Sequence, residues 1–500
     1  LMTDPNKTQA LHSLGLQDTP LITGLWQVAD LERGGQDLDR DAAAADIMDY
    51  AQAGFTHFDM ADHYGSAELI AGTARKKMID ASPSDEPPLQ LFTKWCPQPH
   101  QCTREAVRSG IEERRERLGV ETIDLLQLHW WSFEHPGYID VMDQLMELRQ
   151  EGLIRHLGLT NFDTDHLSVL LSCGHEIVSN QVCLSVLDPR ALGDMSQLCM
   201  DSGVRLLAYG TLAGGFLSDR WLGAEEPAVV ADWSKMKYQR FIQAVGGWQA
   251  YQQTLQVLAD IAAERGASVS NVATRWVMQQ PAVTGVIVGA RLTDSQHRED
   301  NRKVLSLKLS DEELARIDDA QRQLTPIDGD CGTEYRRPPF LTASGDLSDH
   351  LDSLPPVFEK TAVAGRPDRW RISSGSEFEP ICGYSRAVRD GNRVLVSGTT
   401  ATHHSDRVIG ADDLRAQTTY VMDKISASLS SLGAGLDDVV RTRIYLSDAD
   451  DWETVSRVHG RYLGHCLPAN TLIEVSRLVG DYRVEIEAEA LIPATVETIR

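Results

Sequence analysis

The feature that most constrains the fold is a regular alternation of strand-like and helix-like segments from about residue 20 to residue 319. Short β-branched and apolar runs alternate with longer amphipathic stretches, a pattern that is typical of βα units. About eight such units within roughly 300 residues predict an α/β fold of the (β/α)8 TIM-barrel type. A doubly wound parallel sheet is the alternative, but its usual Gly-x-Gly-x-x-Gly fingerprint does not follow the first predicted strand. The predicted strands are 21–26, 56–59, 89–93, 123–128, 154–158, 177–181, 204–209 and 283–288.

The remainder of the chain has a different organisation, as expected because 500 residues exceed one ordinary core. Segment 321–374 contains several prolines and little periodicity, which predicts a linker that wraps over a neighbouring domain. Residues 375–500 show a hairpin signal at 390–392, a long amphipathic helix over about 412–432 and further strands. We therefore predict a barrel over 1–320, a linker over 321–374 and a small α+β domain over 375–500.

Composition excludes some classes of partner and site. The formal charge is −25, with 73 acidic against 48 basic residues, which argues against a nucleic-acid surface. No apolar run approaches the roughly 20 residues that span a bilayer, so no membrane partner is expected. Residues 1–7 lack the basic-then-apolar order of a signal peptide, and a cytoplasmic protein is expected. The 8 cysteines form no CxxC pair or Cys/His cluster, which predicts reduced thiols and no metal site.

Four polar side chains fall at or just beyond predicted strand ends: Asp59, Tyr64, Lys94 and His129. The carboxyl ends of parallel strands are where α/β barrels and sheets carry their chemistry. A Tyr is a poor proton donor at neutral pH unless a neighbouring ammonium lowers its pKa, and a carboxylate holds such a Lys in place. A His beside them can orient a carbonyl. Four such residues on four elements favour an active site over packing.

The motifs around these residues resemble those of the aldo-keto reductase superfamily. Residues 54–65 (GFTHFDMADHYG) resemble its signature, and 91–94 (LFTK) and 126–129 (LQLH) resemble its Lys and His segments. The resemblance covers about residues 20–319 and implies a barrel that uses NADPH or NADH to reduce a carbonyl or oxidise an alcohol, and Arg291, a candidate partner of the 2′-phosphate, favours NADP(H) over NAD(H). By position, Tyr64 is the proton donor, Lys94 lowers its pKa, Asp59 holds Lys94, and His129 orients the carbonyl.

The same resemblance implies the residues that hold the cofactor. A long excursion over 216–249 is predicted to form a lid. The cofactor residues are Gly24, Leu25 and Trp26 on the first strand, Thr160, Asn161 and Gln181 for the carboxamide, Tyr209 stacking on the nicotinamide, and Gly289, Arg291, Gln296 and Asn301 near the pyrophosphate and adenosine. An aromatic pocket wall is expected from the side chains next to the catalytic positions, with ordinary packing as the alternative: Trp26, His63, Trp95, Trp130 and Trp131.

The C-terminal part resembles the RidA/YjgF family over about residues 379–494, through motifs that include 394–398 (VLVSG), 441–446 (RTRIYL) and 467–470 (LPAN). This resemblance implies a chorismate-mutase-like α+β fold, trimers and clefts between subunits. Active members hold a substrate carboxylate with an Arg after a Pro-Ala pair, but Asn470 occupies that position and Ser456 replaces a helix Asn. Glu487 and Tyr384 are retained. An amide cannot grip a carboxylate as a guanidinium does.

Three functions remain open from the sequence. The first is an NAD(P)H-dependent oxidoreductase whose C-terminal domain makes a homo-oligomer or binds a small molecule. The second is a bifunctional enzyme whose C-terminal cleft acts on an imine or enamine. The third is a cofactor-sensing binding protein. The intact set of four catalytic candidates argues against the third, because a sensor needs no proton donor.

Overall fold

The computed structural model describes residues 14–16, 19–28, 38–83, 88–230, 233–290, 292, 297–339, 341 and 353–493. The chain divides into two compact units. The first is drawn from Leu1–Trp131, Val141–Thr164 and Glu176–Asp352, and the second from Ser132–Asp140, Asp165–His175 and Ser353–Arg500. No helix among the described residues is long and apolar enough to cross a membrane.

The first unit contains a closed barrel of eight parallel strands, which confirms the predicted TIM barrel. Each strand pairs with the next along the chain, and the last pairs with the first at Leu21↔Val286 and Gly24↔Gly289. This closure excludes the doubly wound alternative, whose sheet has two free edges. The strands are β1 (Leu21–Gly24), β2 (His57–Asp59), β3 (Gln90–Trp95), β4 (Ile123–His129), β5 (Ile154–Thr160), β6 (Ser179–Cys183), β7 (Arg205–Tyr209) and β8 (Val283–Gly289).

Helices follow most of these strands, and local sequence defines their ends. Asp39 caps the first helix by accepting from the amides of Asp41 and Ala42, and Gly119 ends another in the left-handed conformation with φ 63°. The helices are α1 (Arg40–Gln52), α2 (Ala67–Ala81), α3 (Arg104–Leu118), α4 (Gly137–Gln150), α5 (Thr164–Ser172), α6 (Asp194–Ser202), α7 (Trp233–Ala244), α8 (Gly247–Arg265), α9 (Val269–Met278), α10 (Arg298–Ser306) and α11 (Asp311–Gln321). A short helix, α12 (Thr333–Arg336), lies within the segment predicted as a linker.

A buried apolar cluster fills the barrel and leaves polar chemistry to the strand ends. Most of its members come from alternating inward positions of the strands, and the others from the turn before β1 and the residue before β6. They are Leu14, Leu16, Ile22, Phe92, Leu125, Val178, Leu207 and Ile287. Side chains at the carboxyl ends of β2 to β7 therefore lie above a closed apolar floor.

The second unit has a seven-stranded sheet in the order β16-β15-β17-β12-β11-β10-β9 and a two-stranded hairpin, β13-β14, which confirms the predicted RidA-type α+β domain. Its strands are β9 (Lys360–Val363), β10 (Arg366–Ile372), β11 (Ala387–Asp390), β12 (Arg393–Thr399), β13 (Thr402–His403), β14 (Arg407–Val408), β15 (Val439–Leu446), β16 (Ala469–Glu474) and β17 (Val484–Leu491). Its helices are α13 (Phe378–Cys382), α14 (Leu414–Ser431) and α15 (Trp452–Leu463).

Candidate active site

A cavity of about 770 Å³ lies at the carboxyl ends of the barrel strands. The four catalytic candidates Asp59, Tyr64, Lys94 and His129 all line it. Asp59 and His129 are the last residues of β2 and β4, and Lys94 is the penultimate residue of β3. Parallel pairing of these strands is what brings residues 35 positions apart into contact, as in the Lys94–Asp59 pair.

Asp59 and Lys94 form a buried ion pair below the cavity. Their Nζ–Oδ2 distance is 2.5 Å, and Lys94 also donates to the carbonyl of Met60 at 2.9 Å. The other carboxylate oxygen of Asp59 accepts from the side-chain amides of Gln127 and Gln181 at 3.0 and 2.8 Å. Both charged groups are only 3% exposed. The carboxylate is therefore fully hydrogen-bonded, which is the condition for a stable buried charge pair.

Tyr64 lies on the turn after β2, where its backbone amide donates to the carbonyl of Ala61 at 3.1 Å. The Lys94 ammonium is 5.1 Å from the centre of the Tyr64 ring. Trp26 and His63 contact the same ring edge-on, with centroid distances of 5.0 and 4.9 Å. The phenol is thus held between an aromatic wall and a cation.

His129 is a neutral imidazole. Burial is the main cause that holds its pKa well below the ordinary value, and the nearby cations Arg336 and Lys94 act in the same direction. Its Nε2 atom is 3.4 Å from the side-chain nitrogen of Asn161. Its buried Nδ1 atom has no hydrogen-bond partner within the part of the chain that the structure describes. The ring can therefore serve as a neutral hydrogen-bonding group in the cavity.

Asn161 and Tyr209 form a second polar pair on the cavity wall. Asn161 follows β5 and has a left-handed backbone with φ 55°, which is uncommon outside glycine. Its amide oxygen accepts from the hydroxyl of Tyr209 at 2.8 Å. Burial raises the pKa of Tyr209 well above its usual value, so its hydroxyl stays protonated as a donor.

The predicted cofactor residues divide into three groups by position. Those that line the cavity are Gly24, Trp26, Thr160, Asn161, Gln181, Tyr209, Gly289 and Asn301. Leu25 is fully buried and does not line it, and its amide instead bonds to the carbonyl of Asp59. Arg291 and Gln296 lie outside the described residues.

The predicted aromatic wall is only partly at the cavity. Trp26, His63 and Trp131 line it, whereas Trp95 and Trp130 do not. Successive side chains of a strand point to opposite faces, so Trp95, next to the inward Lys94, points towards the surrounding helices. There its ring lies against α3, so close that a Cβ added to Gly110 would be 2.6 Å from it. Trp130 is fully buried.

Three further residues at this site escaped the sequence analysis. Lys237 on α7 donates to the hydroxyl of Tyr335 on α12 at 2.6 Å, and both line the cavity. Burial lowers the pKa of Lys237, but the neighbouring Tyr335 and Glu334 raise it by more, so the pKa is above its usual value and the side chain is an ammonium. Arg336 donates to the carbonyls of Asn161 and Trp130 at 2.6 and 2.5 Å. No local motif marks Tyr335 and Arg336, because α12 follows the last barrel helix, whereas Lys237 lies within the 216–249 excursion that is predicted to form a lid.

The loop after β7 also lines the cavity, and its sequence contains a recognisable glycine-rich motif. Residues 209–215 read YGTLAGG, and Gly210, Gly214 and Gly215 all have positive φ values of 71°, 63° and 92°. Such glycine-rich turns bring backbone amides close to phosphates. The cationic residues Arg220 and Lys235 also line the cavity.

In the second unit, Asn470 lies on β16 and is exposed, and its amide oxygen accepts from the hydroxyl of Thr442 at 3.2 Å. Glu487 on β17 accepts from Arg443 at 2.6 Å and from the hydroxyl of Tyr445 at 3.2 Å. Tyr384 is 42% exposed. The carboxylate of Glu487 is thus engaged by neighbouring strand residues.

The chain is similar to known proteins in two separate parts. A model of the aldo/keto reductase family matches residues 20–322, and a model described as Endoribonuclease L-PSP matches residues 374–492. The NADH-specific methylglyoxal reductase of Escherichia coli (strain K12) is 26% identical over 312 residues, which cover 58% of this chain and 90% of that protein. A RutC family protein of Pyrococcus abyssi is 38% identical over 112 residues, which cover 22% of this chain and 88% of that protein. The solved structure of the glycerol dehydrogenase of Gluconobacter oxydans shares the fold at 23% identity and a TM-score of 0.50. The match covers 62% of this chain and 94% of the dehydrogenase chain.

Proposed function

This chain belongs to the aldo/keto reductase family through residues 20–322 and to the RidA-type Endoribonuclease L-PSP family through residues 374–492, and on that premise we propose that its barrel reduces an aldehyde or ketone with a nicotinamide cofactor. Membership makes it an oxidoreductase, and the same site would oxidise the corresponding alcohol in reverse. The observation that carries the proposal is the position of Lys94, which is bonded to Asp59 and 5.1 Å from the ring of Tyr64.

Tyr64 is the proposed proton donor. As the substrate carbonyl is reduced, the carbonyl oxygen takes the proton of the Tyr64 hydroxyl. The electron pair of the broken O–H bond stays on the Tyr64 oxygen, so Tyr64 becomes a phenolate. The Lys94 ammonium stabilises that phenolate, and its ion pair with Asp59 holds Lys94 in place. General acid catalysis of this kind contributes roughly 10²- to 10⁴-fold to the rate.

His129 is proposed to orient the substrate carbonyl. Because its imidazole is neutral, it offers a hydrogen bond without competing with Tyr64 as an acid. Its position between Trp131 (ring centroids 4.1 Å apart) and the Asn161 amide limits how far the ring can turn. The carbonyl oxygen would then be held within reach of the phenol, and this fixed geometry favours the reaction.

A nicotinamide cofactor, when bound, would supply the hydride, and the residues present fit it. The hydroxyl oxygen of Thr160 is buried at the cavity without a hydrogen-bond partner among the described residues, as expected of a group that awaits a ligand. The side-chain nitrogen of Gln181 is engaged by Asp59 and Gln127, so its carbonyl oxygen is the group for a carboxamide. Tyr209 would stack on the nicotinamide ring.

We propose a preference for NADP(H) over NAD(H). Arg220 and Lys235 add two cations to the cavity lining in a chain whose net charge is −25, which favours a ligand with more phosphate groups. Asn301 on α10 lies at the same cavity and would contact the adenosine.

A substrate screen tests this proposal. Oxidation of NADPH and NADH is followed by absorbance with aldehydes, ketones and sugars, for the full chain and for Tyr64→Phe. We expect turnover that falls by at least about 100-fold in Tyr64→Phe. Tyr445→Phe is the control, because it removes a phenolic hydroxyl in the second unit and should leave the rate unchanged. If no tested compound were reduced, or if Tyr64→Phe and the parent chain had equal rates, the proposal would be contradicted.

For the RidA-type domain we propose assembly with further copies of this chain. Four apolar side chains of its sheet, Leu395, Val440, Ile473 and Leu491, are 40–46% exposed. Asn470 replaces the guanidinium that imine hydrolysis would require, so binding of another small molecule is the alternative role. A partially apolar sheet face is a common homo-oligomer interface.

The assembly is tested by light scattering of the full chain and of Leu395→Asp, with Val229→Asp as the control. Val229 is 85% exposed and belongs to the first unit. We expect an oligomer that Leu395→Asp dissociates and Val229→Asp does not. A monomeric parent chain would refute assembly. Ammonia release from 2-imino acids would instead support the catalytic alternative.

A further inference from the structure

Two consecutive histidines of the second unit converge on one carboxylate. His403 ends β13 and His404 follows it, and their Nε2 atoms lie 3.0 and 2.8 Å from the same oxygen, Oδ1 of Asp140. Asp140 is in the first turn of α4, within the part of that helix that belongs to the second unit. The three ligand atoms lie within 4.8 Å of one another.

Neighbouring groups hold His403 in this orientation. Its other ring nitrogen, Nδ1, is 2.8 Å from the hydroxyl of Tyr420 on α14, and the ring is 2% exposed. One turn further along the same helix, Lys424 donates to the carbonyls of Thr400 and Thr402 at 3.1 and 2.9 Å. A second hydrogen bond that orients a His by its far nitrogen is characteristic of metal ligands in proteins.

The backbone of His404 is also unusual. It has φ 52°, in the left-handed region that residues with a Cβ rarely adopt. This conformation turns the second imidazole back to the carboxylate that His403 already contacts. Uncommon backbone conformations of this kind are enriched at functional sites. Together, the two rings and the carboxylate form a preorganised set of one oxygen and two nitrogen ligands.

We propose that Asp140, His403 and His404 bind a divalent transition-metal ion of the Zn²⁺ class, with water as a further ligand. Two imidazoles and one carboxylate suit Zn²⁺, whereas Mg²⁺ and Ca²⁺ prefer oxygen ligands. Tetrahedral ligands at zinc bond lengths are about 3.3 Å apart, so the observed 2.8 and 3.0 Å separations need to open by only a few tenths of an ångström. His404 is 68% exposed, so both the ion and the water have access.

Proton positions are consistent with metal binding. Without a metal, the Asp140 carboxylate would accept a hydrogen bond from an N–H at each Nε2. With a metal, the Nε2 lone pair of His403 binds the ion, and its single ring proton resides on Nδ1, where the Tyr420 oxygen accepts it. The ion would cross-link the first turn of α4 to the β13–β14 hairpin, two parts of the second unit that are far apart in sequence. Such an ion stabilises the folded unit because the unfolded chain has no preformed site.

The test is metal binding by the metal-free full-length chain. Zn²⁺ is titrated by calorimetry, and Co²⁺ is used as a visible-absorption probe of the ligand set. Wild type should bind one equivalent of Zn²⁺ at this site, and Zn²⁺ should raise its melting temperature. His404→Asn should weaken this binding by more than about 100-fold, because losing a ligand costs more than losing the group that orients one. Asn tolerates the left-handed backbone, and position 404 is exposed, so this variant should fold.

Two further variants complete the test. Tyr420→Phe should weaken binding by about 10- to 100-fold, because it removes only the group that orients His403. His465→Asn should change nothing, because His465 is another exposed imidazole that pairs with one carboxylate, Asp437 at 2.5 Å. If wild type and His404→Asn bind Zn²⁺ with equal stoichiometry and affinity, or if wild type binds none, the cluster is a hydrogen-bonded contact and the proposal is overturned.

Discussion

The role of Lys94 gives the most decisive test of the proposed chemistry, through the substitution Lys94→Met. The ammonium lies 5.1 Å from the ring centre of Tyr64, in a site where Lys94 is 3% exposed. With an effective dielectric constant of about 20, its attraction for a phenolate charge at that distance is about 3 kcal/mol. Losing this stabilisation should lower kcat/KM by about 200-fold.

A double-mutant cycle separates this electrostatic role from simple damage to the site. Lys94→Met also leaves the Asp59 carboxylate buried with only the amides of Gln127 and Gln181, which should cost about 3–5 kcal/mol of stability. Kinetics are therefore measured well below the melting temperature of each variant. In the Tyr64→Phe background there is no phenolate, so Lys94→Met should cost much less than 200-fold there.

Two results would refute this reasoning. A loss of less than about 3-fold in Lys94→Met would mean that the ammonium does not stabilise the transition state, because 3 kcal/mol predicts about 200-fold. An equal loss in both backgrounds would mean that Lys94 supports the structure of the site instead of the phenolate. Asp59→Asn is the accompanying variant. It should lose less activity than Lys94→Met, because the ammonium keeps the carbonyl of Met60 as a partner.

Four other substitutions test the cofactor end of the cavity, a buried imidazole and two helix glycines. Arg220→Gln should raise the KM for NADPH by about 10-fold or more and leave kcat unchanged, as expected for a charge-assisted contact to phosphate. Burial lowers the pKa of His156 to about 4, so between pH 6.5 and 4 the unfolded chain binds a proton that the folded chain does not. The free energy of unfolding should therefore decrease as the pH is lowered through that window, by up to about 1.4 kcal/mol per pH unit. Urea titrations should show a smaller decrease in His156→Gln. Gly110→Ala should destabilise by about 1–3 kcal/mol because its Cβ would be 2.6 Å from the Trp95 ring, whereas Gly460→Ala, with no atom within 4 Å, should stabilise by about 0.5–1 kcal/mol.

The barrel and its four catalytic candidates were predictable because both depend on local patterns joined by a simple topology. Eight strands in sequential parallel order bring every carboxyl end to one rim, so a residue that ends its strand must lie there. The two tryptophans beside these residues were misplaced for an equally simple reason. Side chains alternate along a strand, so Trp95 cannot share the face of Lys94, and Trp131 has the position expected of Trp130.

What the sequence did not reveal are the contacts made by segments that return to the cavity after the repeating units end. Tyr335 belongs to a short helix in a stretch without periodicity, and its partner Lys237 is 98 positions earlier. The histidines at 403 and 404 have the same character, because their carboxylate partner is more than 260 positions away. Contacts of this kind depend on tertiary packing, which no local pattern records.

The hydrogen bonds around Gln181 connect the proposed cofactor site to the proposed proton donor of this barrel. The amide nitrogen of Gln181 holds the oxygen of Asp59 that Lys94 does not use, so it helps to fix the carboxylate below Lys94. The same side chain lines the cavity where the carboxamide is proposed to bind. Because an amide group is planar and rigid, the hydrogen bond from the Gln181 nitrogen to Asp59 also fixes the direction in which the Gln181 oxygen points. The geometry proposed to prepare Tyr64 for proton transfer is therefore the geometry that would select one orientation of the nicotinamide.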